Sequence, residues 1–169
     1  MGAGRRYTKA QLRQQDEDQH DPRWLEWLGE MDDQIAGFLA ETMSDMPDDP
    51  WTVEGLSCAE RAALELFADA DAAEAAEQRG MVDRFARFVG EVFRRNFEGR
   101  WYNNTDADDQ GRGFGPALRE GYNPAYLEPV RLVFAALDRR TGSEWARVFG
   151  YSEKRYAEWV ATGRPQPQF

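Results

Sequence analysis

Cys58 and His20 are the single cysteine and the single histidine of a 169-residue chain, and their settings decide how much chemistry the sequence can carry. Cys58 falls at the first position of a helix expected to open at Ser57, where free amides and the helix dipole lower a thiol pKa, so it is the one candidate nucleophile. It lacks a base. His20 sits in a polar segment beside Asp18 and Asp21, and a general base or metal ligand needs a ring fixed by a supporting partner. The expectation is a buried, inert Cys58 and a solvated His20. In Asp106-Ala107-Asp108-Asp109-Gln110-Gly111 the first, third and sixth positions match a calcium loop, but Gln110 occupies the fifth and Ala117 the twelfth, where a bidentate Glu is required. A solvated hairpin loop is the better reading. Gly111, Gly113 and Gly115 resemble a phosphate-binding loop, yet the third glycine of the dinucleotide fingerprint falls on Pro116, so they are assigned to turns and a bulge. With no histidine pair, cysteine cluster or isolated carboxylate dyad, the usual starting points for hydrolysis, metal catalysis and redox chemistry are missing. The chain is expected to be non-enzymatic and to need no cofactor or metal.

Charge is the strongest signal. Residues 21–79 carry sixteen Asp and Glu against three Arg, while the whole chain has a net charge of −10. Such a block attracts a basic protein and argues against nucleic acid or an anionic membrane as partner. The blander alternative is a solvated face that keeps the protein in solution. No apolar run approaches a membrane span. The lone cysteine, and an amino-terminal Met1-Gly2-Ala3-Gly4-Arg5-Arg6 with no apolar stretch behind it, lead to the expectation of a cytoplasmic protein. Only Lys9 and Lys154 are lysine, an Arg and Ala bias that suggests a GC-rich bacterial genome.

The elements follow from periodicity. Residues 1–20 have almost no apolar content and are read as a flexible arm. Asp21-Pro22 supplies a cap and a first-turn proline, and Trp24, Leu28, Met31, Ile35 and Phe38 recur at helical spacing, which predicts a helix over 22–43. After the turn at 46–50, Ser57 and Glu60 form a capping box for a helix over 57–78. Beyond Gly80 the apolar run Val82, Phe85, Val89, Val92 and Phe93 marks the central helix. Its opposite face holds Arg84, Arg87, Arg94 and Arg95, with Asp83 and Glu91 placed four residues before Arg87 and Arg95, the order that favours helical ion pairs over a phosphate-binding patch. Residues 100–104 and 114–120 read as a two-stranded hairpin, and 129–140 as a further helix. Thr141 and Glu144 form a second capping box opening a short helix through Phe149, and Tyr156, Trp159 and Val160 form the last. The expected fold is mainly α, in the α+β class, with about six helices and one antiparallel hairpin in a single domain over 21–162, followed by a tail over 163–169.

Residues 81–149 resemble a recurrent bacterial pattern, carried by Phe88-Val89-Gly90-Glu91-Val92, by Gly99-Arg100-Trp101, and by Gly115-Pro116 with a closing helix after Asn123-Pro124. The pattern is similar to small uncharacterised domains, some of them similar in size and acidity to immunity proteins that neutralise secreted toxins. That resemblance implies a non-catalytic binder and transfers no site residues. The expected function is therefore a non-catalytic protein-binding module, which the resemblance makes an immunity-type inhibitor, whose acidic helical face covers a basic protein target. Glu26, Glu30, Asp33, Glu41, Asp45, Asp48 and Asp49 are the expected rim charges, and Trp27 and Trp51 the expected anchors. The alternative is a homodimer or larger regulatory assembly that pairs through the Trp24 to Phe38 seam.

Overall fold

The computed structural model describes residues 7–108 and 110–166. Its described residues form eight α-helices and one two-stranded antiparallel sheet: α1 (Lys9–Asp18), α2 (Pro22–Gly29), α3 (Met31–Gly37), α4 (Val53–Leu66), α5 (Ala70–Glu74), α6 (Arg79–Asn96), β1 (Arg100–Asn103), β2 (Pro116–Arg119), α7 (Pro129–Arg139) and α8 (Glu144–Ala161). The mainly helical α+β fold is as expected, with two helices more. The difference is α1 in the expected arm and one extra helix from each of two broken segments, less one where the last two expected helices join as α8.

The central position of α6 follows from its composition. Every residue from Phe85 to Phe93 is buried, so the helix is surrounded rather than one-sided. Phe85 meets Phe38 edge-on at 4.9 Å and also packs on Phe67 and Trp145. The core thus joins α6 to the turn after α3, the end of α4 and the start of α8. A second apolar group, Trp24, Trp27, Met31, Ile35 and Phe114, lies between α2, α3 and the loop before β2. Trp27 stacks on Trp24 at 5.3 Å and meets Trp101 edge-on at 5.1 Å, which ties that group to the sheet.

The hairpin pairs Arg100 with Arg119 and Asn103 with Pro116, and Leu118 also exchanges two hydrogen bonds with Leu127. Gly115 is required there, because a Cβ would stand 2.0 Å from the Asn104 carbonyl oxygen. Gly111 and Gly113 take positive φ of 65° and 82°, a backbone that side chains resist.

Three expected helical segments have other bounds, and in each of them a residue distant in the chain engages one boundary. The helix expected over 22–43 divides at Gly29–Glu30 into α2 and α3, then unwinds through a wide turn over Phe38–Thr42. At the break the buried Arg87 guanidinium donates to the Trp27 carbonyl at 2.7 Å, the group that would receive the Met31 amide in an unbroken helix. The helix expected over 57–78 instead starts at Val53, capped by Thr52, whose hydroxyl accepts the Gly55 amide at 3.2 Å. It ends at Leu66, where Arg140 donates to the carbonyls of Leu64 and Phe67. Asp69 then caps the short α5. Ser57 forms no capping box; it donates to the Val53 carbonyl. The two last helices are one, α8, and its start is closed from afar: Glu60 accepts the amides of Glu144 and Trp145, both at 2.9 Å. Thr141 accepts the Ser143 amide and takes no part in that closure.

Part of the expected arm is helical, because Thr8 and Gln11 form a reciprocal capping box at the start of α1. Residues 1–6 lie outside the described part. In the expected tail, Arg164 donates to Glu98 and Trp159 donates to the Pro165 carbonyl, while 167–169 lie outside the described residues. No helix among the described residues is long and apolar enough to cross a membrane.

Candidate functional site

The acidic block lies on the surface. Of its sixteen carboxylates fourteen are exposed; Asp21 is half-buried and Glu60 is buried. The seven expected rim residues are all among the exposed ones. They divide into two groups by what they touch. Glu30 lies 3.7 Å from Arg87, Glu41 pairs with Arg84 at 2.9 Å, and Asp49 accepts the Trp51 amide at 3.1 Å. Glu26, Asp33, Asp45 and Asp48 project into solvent from α2, α3 and the turn before α4.

The two tryptophans are not where anchors must be. Trp27 is buried: its indole N–H donates to Asp83 at 2.8 Å and the Arg87 guanidinium covers its ring at 4.1 Å. Trp51 is half-buried between Phe88 at 5.5 Å and the Arg95 guanidinium at 3.7 Å. Both are therefore structural floor rather than protruding contacts. Trp27 still contributes to a surface feature, a depression of about 450 Å³ over its ring and that of Phe114, rimmed by Glu26, Glu30, Arg23 and Arg112. The fold thus brings together three of the expected residues, Glu26, Glu30 and Trp27, and leaves Trp51 with Asp48 and Asp49 in a separate turn.

Beneath the depression lies a charge network that holds α2, α6 and the loop before β2. Asp83 receives Arg87 at 2.6 Å, Arg112 at 2.7 Å and the Trp27 indole. Burial pushes its carboxyl up, and Arg87, Arg112 and Trp27 outweigh that and hold it below its ordinary value. A second carboxylate, the buried Glu91, receives Arg94 at 2.6 Å, Arg95 at 3.0 Å and the Trp101 indole at 2.7 Å. There too burial raises the pKa and the donors lower it further, Arg94 first. The four arginines expected on one face of the central helix are thus engaged: Arg87, Arg94 and Arg95 with Asp83 and Glu91, and Arg84 with Gln34 and Glu41. The ion pairs Asp83–Arg87 and Glu91–Arg95 are those the spacing predicts, and Arg84 and Arg87 also dock the acidic α2–α3 segment.

The remaining chemical candidates separate. Cys58 is half-buried in α4, beyond its first turn, because that helix starts at Val53, four residues earlier than expected. His20 is exposed and its Nδ1 lies 2.8 Å from the Asp16 carbonyl. In the loop read against the calcium pattern, Asp108 accepts the amides of Arg112 and Gly113 at 2.8 and 2.7 Å, while Asp109 lies outside the described residues. No group of three or more potential metal ligands forms among the described residues.

One group escaped sequence reasoning. Glu120 is fully buried where β2 leaves the sheet, beside Tyr122, Asn123, Ser152 and Arg155. Its Oε1 and the Tyr122 hydroxyl have no well-formed hydrogen bond, and burial pushes its carboxyl up to about 7. Nothing in the pattern around residue 120 signals this, since a lone Glu after a strand reads as solvent-facing. Comparison with protein-family models, curated proteins and solved structures finds no match to this chain.

Proposed function

We propose that this chain is a non-catalytic protein-binding module, of the immunity-type inhibitor kind, whose acidic surface covers a basic protein. The observation that carries the reading is the exposure of fourteen carboxylates from a block of net charge −13, with Glu26, Asp33, Asp45 and Asp48 directed to solvent from the first half of the chain. Those charges speed encounter with a cationic surface, and the depression over Trp27 gives the partner a concave point of contact between Glu26 and Glu30. The alternative of pairing through the Trp24 to Phe38 seam receives no support, because Trp24, Met31, Ile35 and Phe38 are spent inside the chain, each less than a tenth exposed.

The test uses the variant Glu26→Gln, Asp33→Asn, Asp45→Asn, Asp48→Asn, chosen because these side chains do not brace the fold. Affinity purification from the native host identifies the proteins held by the wild type and lost by the variant. Stopped-flow association is then followed with ionic strength. The expected result is a basic partner whose association rate falls about tenfold between low and physiological salt and is lowered to a similar extent by the variant. A rate indifferent to salt, or a variant that retains every partner, rejects the reading.

A further inference from the structure

A cleft of about 810 Å³ lies between α1 and the segment joining the hairpin to α7. One wall is a single face of α1, where Gln11, Gln14, Gln15 and Asp18 recur at helical spacing. This helix buries none of its residues, so it gains no core contacts to offset the cost of ordering its backbone, about 1–2 kcal/mol per residue. It is nevertheless built with care at both ends. The capping box closes its start, and beyond its end the Gln19 amide both donates to and accepts from the Asn103 backbone, at 3.0 and 2.8 Å. The Asn103 side chain adds a bond to the Asp18 carbonyl at 2.8 Å. The result is a polar helix fixed along the side of an open cleft.

The facing wall is aromatic and acidic. Tyr126 stacks on Tyr102 with ring centres 5.2 Å apart and planes 8° from parallel. Asp106 is exposed at the rim, and Glu128 is paired with Arg131 at 2.6 Å. Asp18, Asp106 and Glu128 thus line the cleft with Arg131, which Glu128 already holds, and the Arg119 guanidinium lies 5.6 Å from the Tyr102 ring centre; the remaining balance is negative, which repels phosphates and carboxylates and favours a cation. A guanidinium makes charge-assisted hydrogen bonds to carboxylates and amide oxygens and is attracted to the face of a tyrosine ring. The cleft offers all three, and its volume lies in the range that holds a ligand of a few residues.

We propose that the cleft between α1 and the Tyr102–Tyr126 stack binds an arginine-bearing peptide segment, its guanidinium set between Asp18, Asp106 and the tyrosine rings. The site does not rest on the acidic-surface reading, because none of its wall residues belongs to that surface. The two therefore succeed or fail separately.

The test is a titration of the ¹⁵N-labelled full chain with a capped pentapeptide carrying one central arginine, and with the same peptide carrying the neutral isostere citrulline. The expected result is saturable amide shifts confined to residues 11–18, 102–106 and 124–131, with the citrulline peptide bound about tenfold more weakly. Asp106→Asn and Gln14→Ala, both at exposed positions, are expected to weaken the arginine peptide by roughly three- to tenfold while the melting temperature stays within about a degree. Shifts spread over residues 26–77, equal affinity for both peptides, or tighter binding of a neutral trisaccharide at the same residues each overturn the proposal. So does binding unchanged by both variants.

Discussion

Glu120 and Asp83 show how the same side-chain chemistry is set in opposite directions by what surrounds it. Asp83 has three donors around it, which hold its carboxyl below the ordinary range; Glu120 has a long contact from the Asn123 amide, at 3.5 Å, with the Tyr122 hydroxyl nearby, and burial pushes it up to about 7. For a carboxyl whose folded pKa is raised, the stabilising form is the protonated one. Its contribution is complete below the ordinary carboxylate range, near 4.5, and is lost as pH rises through about 7. The paired carboxylates act with the other sign, losing their contribution as pH falls below the ordinary carboxylate value. Thermal stability is therefore expected to be higher at pH 5.5 than at pH 8, by at most about 2 kcal/mol, the part of the shift from 4.5 to about 7 that falls between those two pH values. Glu120→Gln, which cannot ionise, is expected to abolish most of that difference. Calorimetry at the two pH values checks it; a wild type equally stable at both, or a variant that keeps the slope, removes Glu120 as its source.

At the level of elements, the apolar periodicities of α6 and α7 were legible in sequence because their stripes are long, uninterrupted and read the same locally as in the fold. The hairpin was legible for the same reason, from a short apolar pair flanked by turn residues. The boundaries of α2, α4 and α8 were not, since each is set by a residue far away in the chain. Arg87 occupies a carbonyl of α2, Arg140 closes α4, and Glu60 closes α8 across 84 residues. Local capping signals such as Ser57 with Glu60 then mislead, because the carboxylate is already committed elsewhere. The candidate site divided in the same way: exposure of the seven carboxylates followed from the charge pattern, whereas the burial of Trp27 depends on Arg87 and Asp83 lying beneath it. Gly90 gives a test at this scale. Helix propensity favours alanine there by about 1 kcal/mol, but a Cβ would stand 2.1 Å from the Trp101 ring and 3.1 Å from Pro129. Gly90→Ala is therefore expected to destabilise the protein by about 1–3 kcal/mol in urea unfolding, and a neutral or stabilised variant contradicts this close approach of α6 to the sheet.

Across the whole molecule, burial falls off steeply from α6 outwards. That helix contributes ten buried residues, and α1 contributes none. Amide hydrogen exchange is expected to follow the same gradient, with the amides of Val89 to Phe93 protected on the order of a thousandfold more than those in the middle of α1. Comparable protection in the two helices shows instead that α1 is held by contacts beyond its capping box and the Asn103 hydrogen bonds. The acidic surface lies outside this gradient, since charge at solvent-facing positions of α2 to α5 can vary with little effect on the core.

The reach of Glu60 has a consequence for how the chain holds together. The start of its longest C-terminal element is written into a residue of the first half, so residues 144–161 carry no complete instruction for their own beginning. Cut away from α4, that segment keeps its amphipathic pattern but loses the acceptor that closes its first turn. The two halves of the molecule are latched in this way without a covalent crosslink, and loosening one end of the latch releases the other.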